Sequence, residues 1–518
     1  MEIEMEMLIF SVLVLFVSTL YHLFRMLNRN ASKNEVDHHQ LQLPPGSSGW
    51  PIIGEGLAFM MTAKRGVPEK FIEERRIKYS SSHSKISNSS CKVFTTSLLR
   101  ESVAVLCTAA GNKFLFSNEN KLVHSWWPDT IYTIFAGLDK PDTHEDSIRL
   151  RKVLSPFFSP NCLQKYVGTM DAFTKRHMDV FWSDKKQVKV LALTKMHTFT
   201  LVCKIFLNVE DPAVIAKLDE PIQHIAAGFI SALPINLPGT AFNRAIRASK
   251  QVRKDLEEMV EQRRIDLDRY RQTAMAEDLD ESNNNNNDQD LMSKLLMDTY
   301  SNGRQMKETD ISDIANKLKG LLIAASDNVV TTLCSIVMYL SELPTIYEAV
   351  LKEQMEIADS KADGELLNWG DIQKMKYTWN VACEVLRLEP PNPGTFREAM
   401  TDFVYEGYLI PKGMKLYWSV FSTHKNPEYF PDPKKFDPSR FDGGGPAPFS
   451  YIPFGGGPRM CPGREYARFT ILVFMHNLVT RFRWEKIFLD EKMVMTPFLL
   501  PTKGLPVRLY PHPSTSSL

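Results

Sequence analysis

The sequence predicts a mainly α-helical protein with a minor β-sheet, and three observations support this fold class. Hydrophobic residues form 43% of the 518 residues, which is enough for a large buried core. Apolar residues recur at helical spacing along most of the chain, in segments that end near prolines. Strand-like segments are short and follow the main helical region, so we expect the sheet to be the smaller part of one globular domain.

The predicted helices differ in character along this domain. The first is charged and amphipathic, the second is long and apolar, and the third ends at two consecutive prolines. The helices are predicted over residues 250–271, 310–342, 371–388 and about 463–480, and short strands over residues 402–405 and 415–420. An Asn-rich segment, residues 281–290, is predicted to be a solvated loop between helices.

The long apolar helix over residues 310–342 is predicted to cross the centre of the globule. It begins in a segment rich in Asp and Ser, and Pro344 stops it. A second membrane span is the alternative, but Lys317, Lys319 and Asp327 argue against it, because charged side chains are costly inside a bilayer.

Charge and cysteine content exclude several classes of protein. The net charge is +1, so we expect no nucleic-acid partner. Seven cysteines are scattered singly, and their odd number argues against a disulfide framework and for a reducing compartment. Histidines and cysteines show no zinc-type spacing, and six of the cysteines are predicted to be ordinary core residues.

The N-terminus is predicted to be a membrane anchor. Residues 7–27 are nearly all apolar, a length that spans the hydrocarbon core of a bilayer. A cleaved signal peptide is the alternative, but the chain begins with glutamates, and Arg25, Arg29 and Lys33 follow the apolar segment. Those basic residues place the rest of the protein on the cytoplasmic side.

The chain is therefore divided into three parts. Residues 1–27 form the anchor, residues 28–54 form a linker that ends in a Pro-rich junction, and residues 55–518 form the globular domain. The junction segment, LPPGSSGWPIIGE, holds three prolines and three glycines in thirteen residues, so it cannot be helical.

The segment PFGGGPRMCPG, residues 453–463, carries the strongest chemical signal. Three glycines before Cys461 let the backbone approach a flat group closely, and the cysteine is expected where a helix begins. Backbone N–H groups and the positive helix end would favour the thiolate there, and the Arg459 cation can reach a nearby anion. A thiolate in this setting suits a soft metal centre; as a nucleophile it would need a nearby His, which the segment lacks.

This segment resembles the haem-binding signature of the cytochrome P450 family. Phe454, Gly457, Arg459, Cys461 and Gly463 match its five fixed positions. The resemblance runs from about residue 43 to residue 506. It implies the cytochrome P450 fold, a haem b cofactor, and Cys461 as the axial ligand of the haem iron.

A second motif supports the resemblance. Glu384 and Arg387 match the Glu-x-x-Arg pair of the family, and Arg440, in FDPSRF, matches its third element. The Glu-x-x-Arg pattern alone is weak, because Glu73–Arg76, Glu261–Arg264 and Glu465–Arg468 match it too. In the family the three residues form a buried network that holds the cysteine loop and does no chemistry.

A third motif lies on the long apolar helix, where GLLIAASDNVVTT aligns with the oxygen-activation segment of the family. Ala324 and Ala325 are small and leave room for dioxygen and substrate. Asp327 occupies the position of the acid that relays protons. The family usually has Thr next, whereas this chain has Asn328, which can still donate and accept hydrogen bonds.

The resemblance also assigns three arginines to the haem carboxylates. Arg151 falls where the family places such an arginine, four residues after Ser147, which replaces the common aromatic residue. Arg397, in GTFREA, and Arg459 are the other two.

Two phrases, SWWPDTIYTIF and LPINLPGTAFNRAIRAS, resemble the plant branch of the family that oxidises triterpenoids, diterpenoids and steroid hormones. The resemblance implies a bulky hydrophobic substrate and an apolar lining for it. The residues proposed for this lining are Trp126, Trp127, Ile131, Phe229, Leu321, Ala324, Ala325, Phe396 and Phe498.

The function that this resemblance implies is a monooxygenase that hydroxylates or successively oxidises a triterpene or diterpene. It would use dioxygen and electrons from NADPH, delivered by a separate cytochrome P450 reductase. The implied location is the endoplasmic reticulum membrane, with a single span, membrane lipid as a partner and the catalytic domain facing the cytoplasm.

Two other functions remain open. Because Asn328 departs from the family pattern, a haem-thiolate isomerase or dehydratase that rearranges a hydroperoxide without dioxygen is conceivable. A non-catalytic haem sensor or carrier is the other. NADPH consumption coupled to product would separate the three.

Overall fold

The computed structural model describes residues 19, 41–50, 54–80, 91–99, 101–136, 144–229, 236–276, 290–301, 307–495 and 498–512. The predicted N-terminal anchor, apart from Thr19, and the Asn-rich loop, apart from Asp290, lie outside these residues.

Helices dominate the described part of the chain, as predicted. The first nine are α1 (Gly56–Lys64), α2 (Glu69–Ser80), α3 (Ala109–Ser117), α4 (Asp129–Ala136), α5 (His144–Phe157), α6 (Pro160–Leu163), α7 (Val167–Phe181), α8 (Val190–Val202) and α9 (Pro212–Gly228). The others are α10 (Ala241–Ala276), α11 (Leu291–Ser301), α12 (Glu308–Glu342), α13 (Pro344–Asp359), α14 (Trp369–Lys374), α15 (Lys376–Leu388), α16 (Phe421–His424) and α17 (Arg464–Val479).

Four small sheets make up the minor β-structure of the described residues. Their strands are β1 (Val93–Leu98), β2 (Glu101–Leu106), β3 (Val123–Trp126), β4 (Gln187–Lys189), β5 (Gly394–Ala399), β6 (Phe403–Tyr405), β7 (Tyr408–Ile410), β8 (Lys415–Ser419), β9 (Phe482–Lys486), β10 (Met493–Met495), β11 (Leu499–Pro501) and β12 (Pro506–Pro511). The largest sheet has the order β1-β2-β8-β5-β3, in which only β2 and β8 pair in parallel.

Helix α12 is the central helix of the fold. The carboxylate of Asp310 accepts a hydrogen bond from the Lys307 backbone N–H at 2.8 Å and so caps its first turn. The ten residues 329–338 are all buried, so this half of the helix is enclosed on every side. The helix ends at Glu342, before Pro344, which lacks an N–H to continue it. It is 35 residues long, and the prediction of a core helix is confirmed.

Two described helical segments are long and apolar enough to span a membrane, Val190–Leu207 and Glu308–Glu342. Most residues of both are buried inside the globule, at 61% and 72% of the apolar window. Their apolar character is therefore explained by the protein core.

Two predicted elements differ from the structure. The helix predicted over residues 371–388 is two helices, α14 and α15, because Met375 leaves helical geometry at ψ 54°. A reciprocal pair of hydrogen bonds between Asn368 and Asp371 starts the first one. The amphipathic helix predicted over residues 250–271 extends further at both ends, as α10.

The Pro-rich junction packs along strand β1. The backbone N–H of Thr95 donates to the Pro45 carbonyl at 2.8 Å, and the N–H of Ser47 donates to the Thr95 carbonyl at 3.2 Å. The N–H of Glu55 donates to the Ser97 carbonyl at 2.8 Å. The segment therefore forms hydrogen bonds along the edge of β1, as an added strand would. Its prolines prevent it from being helical.

A fully buried ion pair on α15 ties two distant segments together. Arg387 Nε and Nη2 donate to the two carboxylate oxygens of Glu384, each at 2.7 Å. Both side chains have no exposed surface. Arg387 also donates to the carbonyls of His424 and Pro433 at 2.8 Å, and Glu384 accepts from the Asp437 N–H at 2.9 Å.

Two of the three other Glu-x-x-Arg pairs form ion pairs that differ from Glu384–Arg387 in burial, which the sequence pattern could not show. Glu261–Arg264 and Glu465–Arg468 form ion pairs at 2.6 and 3.3 Å, but their side chains are 22–39% exposed. The predicted third member, Arg440, lies 3.5 Å from Glu384 through Nε, beyond normal hydrogen-bond length, and its side chain is 12% exposed.

Arg387→Ala is expected to lower the free energy of unfolding by about 3–5 kcal/mol, because it leaves the Glu384 carboxylate buried without its partner. Arg264→Ala is the matched control, since it breaks a partly exposed pair of the same spacing and should cost only about 0–1 kcal/mol. Urea unfolding followed by circular dichroism measures both. Equal losses would show that burial does not distinguish the two pairs.

Candidate active site around Cys461

A cavity of about 270 Å³ lies between α12, the start of α17, strands β5 and β8, and the loop that carries Cys461. Its walls are mainly aliphatic and aromatic side chains together with the backbone of the cysteine loop. The prediction from the glycine-rich segment placed a flat group at this point of the chain.

Hydrogen bonds within the loop hold Cys461 in place. Its N–H donates to the Phe454 carbonyl at 2.9 Å, and a short 3₁₀ turn, Gly457–Arg459, lies between the two residues. A Cβ on Gly456 would lie 2.5 Å from the Phe116 ring, and Gly457 has φ +65°. Both glycines are therefore required, because the loop packs directly against Phe116.

Opposing effects act on the protonation of Cys461. Helix α17 begins at Arg464, three residues further on, so the cysteine lies before the N-terminus of the helix. Burial raises the pKa of the Cys461 thiol, whereas the Gly463 N–H, as predicted, and the Arg151 cation lower this pKa by less. A bound metal cation would favour the thiolate further.

The three predicted arginines lie together beside this loop. Arg397 and Arg459 line the cavity, and Arg151 Nη1 donates to the Met460 carbonyl at 2.9 Å. Burial lowers the pKa of Arg151, and the neighbouring Arg459 cation lowers it further. One edge of the cavity therefore carries concentrated positive charge.

Helix α12 forms the opposite wall of the cavity. Leu321, Ala324, Ala325 and Asn328 line it, as predicted. The Asn328 amide donates through Nδ2 to the Ala324 carbonyl at 3.0 Å. Its Oδ1 makes no hydrogen bond among the described residues, so it can accept one from a polar group in the cavity.

Asp327 lies beside this wall but does not line the cavity. Burial raises its pKa to about 6, the Lys195 cation on α8 opposes the rise, and Asp219 on α9 adds to it. Helix α8, which carries Lys195, packs directly against α12. A carboxyl group with this pKa can hold a proton near neutral pH.

Most of the aromatic residues predicted for the substrate lining lie elsewhere. Trp126 and Phe396 face each other across β3 and β5, with ring centroids 5.6 Å apart, and Phe229 stacks on Phe135. Trp127 is 37% exposed, and Phe498 is half-buried just before β11. These residues and Ile131 are not part of the described cavity wall, because sheet pairing and aromatic packing use most of them.

Several cavity residues were missed by the sequence analysis. Thr332 lines the cavity one helical turn after Asn328, and its hydroxyl donates to the Asn328 carbonyl at 3.0 Å. Helical spacing could have identified it. Phe206 could not have been identified in this way, because it lies in a π-helical turn, Cys203–Leu207, which shifts the register after α8. Trp418 reaches the cavity from strand β8.

The residues around the cavity fit a haem. A thiol is the donor that a soft metal centre needs, and the glycine-rich backbone and apolar walls suit a flat macrocycle. The arginines lie at one edge, where a haem carries its carboxylates. The network predicted for Glu384, Arg387 and Arg440 lies behind the loop and does not reach the cavity.

Comparison with known proteins agrees with this fit. The family model described as "Cytochrome P450" matches residues 44–509. The chain is 51% identical over 502 residues to a beta-amyrin 28-monooxygenase of Kalopanax septemlobus, covering 97% of this chain and 98% of that protein. It is 54% identical over 474 residues to a beta-amyrin 28-monooxygenase of Medicago truncatula, with 91% and 93% covered.

A solved structure also matches. The retinoic acid-bound cyanobacterial CYP120A1 superimposes with a TM-score of 0.76 at 26% sequence identity, covering 91% of this chain and 100% of that one. The predicted fold is therefore confirmed for the globular part of the chain.

Proposed function

The chain belongs to the cytochrome P450 family and is a haem-dependent monooxygenase, and we propose that it oxidises a triterpene of the beta-amyrin type at carbon 28. The observation that carries the proposal is the identity of about one half, over nearly the whole chain, to relatives with that activity. Because the relatives named by activity are monooxygenases, rearrangement of a hydroperoxide without dioxygen is not favoured.

We propose Cys461 as the thiolate ligand of the haem iron. When bound, haem b supplies the activation of dioxygen, with electrons that come from NADPH through a separate reductase. The chain supplies the remaining requirements. Phe454 and the glycines hold the loop, and Arg151, Arg397 and Arg459 would hold the haem carboxylates.

The shape of the cavity supports a bulky hydrocarbon substrate. Ala324 and Ala325 leave space on α12, and Leu321 and Val329 continue an apolar wall on either side. Such a wall binds a hydrocarbon by burying apolar surface and excludes water from the reaction. Trp126, Trp127, Phe229, Phe396 and Phe498 lie outside this wall, so we propose no direct substrate contact for them.

We propose that Asp327 and Asn328 control proton delivery. Burial raises the pKa of the Asp327 carboxyl to about 6, so the carboxyl is protonated below this pH and can accept and release a proton near neutral pH. Asn328 lines the cavity and its Nδ2 is anchored on the Ala324 carbonyl, which leaves Oδ1 able to accept a hydrogen bond. The Asn328 amide can thus orient a water molecule between the Asp327 carboxyl and the cavity. A threonine hydroxyl usually has this role in the family.

We also propose that residues 7–27 anchor the protein in the endoplasmic reticulum membrane, with the globular domain in the cytoplasm. The apolar length and the basic residues that follow it support this proposal. The reductase and membrane lipid would then be its partners.

The substrate proposal is tested by expressing the full chain with a plant reductase in yeast microsomes that contain beta-amyrin. The expected products carry one or more added oxygens at carbon 28 and depend on NADPH. Cys461→His is the control: it should abolish both the products and the carbon monoxide absorption typical of thiolate-ligated haem. Oxygenation of a diterpene but not of beta-amyrin would contradict the proposed substrate and leave the monooxygenase assignment intact.

Asp327→Asn is expected to lower coupled turnover at least about tenfold and to leave substrate binding nearly unchanged, since it removes a proton donor. In the wild type, coupled turnover should fall as pH rises through about 6, because the carboxyl then loses its proton. The variant should show no such fall. Product per NADPH consumed, measured from pH 5 to 8, tests both.

Asp219→Asn is the matched control for this pH profile. Removing its negative charge lowers the pKa of Asp327, so the fall should move to lower pH while turnover at low pH is kept. An Asp327→Asn variant with the wild-type profile would refute the proposed role.

Deletion of residues 1–40 is expected to release the protein from membranes and keep the haem site. It retains the bonds of the junction to β1 and the hydrogen bond from the Leu409 N–H to the Gln42 carbonyl. Deletion of residues 1–55 is the comparison: it removes the bonds to Thr95 and Ser97 and should lower the melting temperature. Membrane flotation and the carbon monoxide spectrum measure the outcome. Loss of the spectrum in the shorter deletion would contradict the separation of anchor and domain.

A further inference from the structure

Glu119 is a buried carboxylate that contacts two of the arginines at the cavity. It lies between α3 and β3 and is 5% exposed. Its Oε2 accepts a hydrogen bond from Arg397 Nε at 2.5 Å, and its Oε1 lies 3.6 Å from Arg459 Nε. Both arginines line the cavity and Glu119 does not. One carboxylate therefore holds two cations from behind the cavity wall.

The contacts fix the direction of the Arg397 guanidinium. Glu119 holds its Nε, and Nη1 donates to the Phe396 carbonyl at 2.8 Å and to Thr395 Oγ1 at 3.0 Å. Glu119 Oε1 is buried without a hydrogen bond. A small movement of Arg459 would complete a second charge-assisted bond there.

The charges at this edge of the cavity can be counted. Arg151, Arg397 and Arg459 carry three positive charges, since arginine stays protonated in proteins, and Glu119 carries one negative charge. The net charge of the four groups is +2. The two carboxylates of a haem carry −2, so haem and cluster together would be neutral.

We infer that Glu119 is a positioning residue for haem: it directs Arg397 and Arg459 toward the haem carboxylates and sets the charge that those carboxylates meet. The inference rests on the proposed haem site. A purely structural role, in which Glu119 only fastens the turn before β3 to β5, is the alternative, although four residue pairs between β3 and β5 already join these segments.

Glu119→Gln tests the charge, because the amide keeps an acceptor for Arg397 and removes the negative charge. The reduction potential of the full-length haem-loaded protein, without substrate, is expected to become more positive than that of the wild type, since a reduced haem is favoured when a nearby negative charge is lost. Spectroelectrochemical titration measures the shift.

Glu398→Gln is the matched control. Glu398 is the next residue on β5 and points to the opposite face of the strand, where it pairs with Lys415 at 3.0 Å and is 25% exposed. The Glu398→Gln substitution changes the net charge of the protein by the same amount as Glu119→Gln. The reduction potential of this control variant should stay at the wild-type value.

Glu119→Ala and Glu119→Asp complete the test. The alanine variant loses the anchor as well, so haem transfer to apomyoglobin should be about tenfold faster, as expected for one lost charge-assisted hydrogen bond. The aspartate variant keeps the charge and should keep the wild-type potential.

Any one of three results would overturn the inference. The first is a reduction potential of Glu119→Gln that is not more positive than that of Glu398→Gln, and the second is wild-type haem retention in Glu119→Ala. The third is complete loss of haem from both Glu119→Gln and Glu119→Asp, which would assign a structural role to Glu119. A wild-type protein without thiolate-ligated haem would instead refute the proposed function.

Discussion

The buried ion pair between Glu384 and Arg387 is the constraint on which the position of the cysteine loop depends. Arg387 binds the carbonyl of His424, and the His424 ring in turn accepts the N–H of Ile452 at 2.8 Å. Two residues later, the Phe454 carbonyl accepts the N–H of Cys461. The ion pair on α15 is thus connected to the sulfur proposed to bind the metal through a short series of hydrogen bonds. Because burying two charges is costly unless both are fully paired, the pair favours the arrangement in which these bonds form, and we propose that it positions the loop in this way.

The same principle governs the charges at the cavity itself. The described structure holds three arginines near one edge of an apolar cavity, and positive charges so close repel each other. Glu119 offsets part of this repulsion from outside the wall, and a dianionic cofactor would offset the rest. Opposing effects also act on the pKa of the Cys461 thiol, since burial raises this pKa, the Gly463 N–H and Arg151 lower it, and a bound metal cation would lower it further. The site is therefore arranged for a group that carries iron at its centre and carboxylates at its edge.

Much of the fold and the centre of the site could be predicted from the sequence. Helix α12, the cysteine loop and the choice of Glu384 among several Glu-x-x-Arg pairs depend on local composition and spacing, and the structure agrees with each. The predicted substrate aromatics rested on the family resemblance and on residue type, neither of which shows where a side chain points. Sheet register decides where Trp126 and Phe396 point, and pairing between strands that are distant in sequence sets that register. The role of Glu119 has the same origin, since its partner Arg397 is 278 residues away.

Helix α12 shows how a polar sequence can line an apolar cavity. Ser326, Asn328, Thr331 and Thr332 each donate a side-chain hydrogen bond to the carbonyl one turn earlier, at 2.9–3.1 Å. The three hydroxyl donors and one of the two Nδ2 hydrogens of Asn328 are satisfied within the helix, so these groups need no partner in the cavity. Asn328 Oδ1 can still accept a hydrogen bond, and most of the rest of this wall is made apolar by Leu321, Ala324, Ala325 and Val329. The replacement of the usual threonine by asparagine is compatible with this arrangement, because the amide can satisfy the Ala324 carbonyl and still accept a hydrogen bond from water. The helix can therefore be apolar toward the substrate and polar at Asn328, the position that we propose for proton delivery.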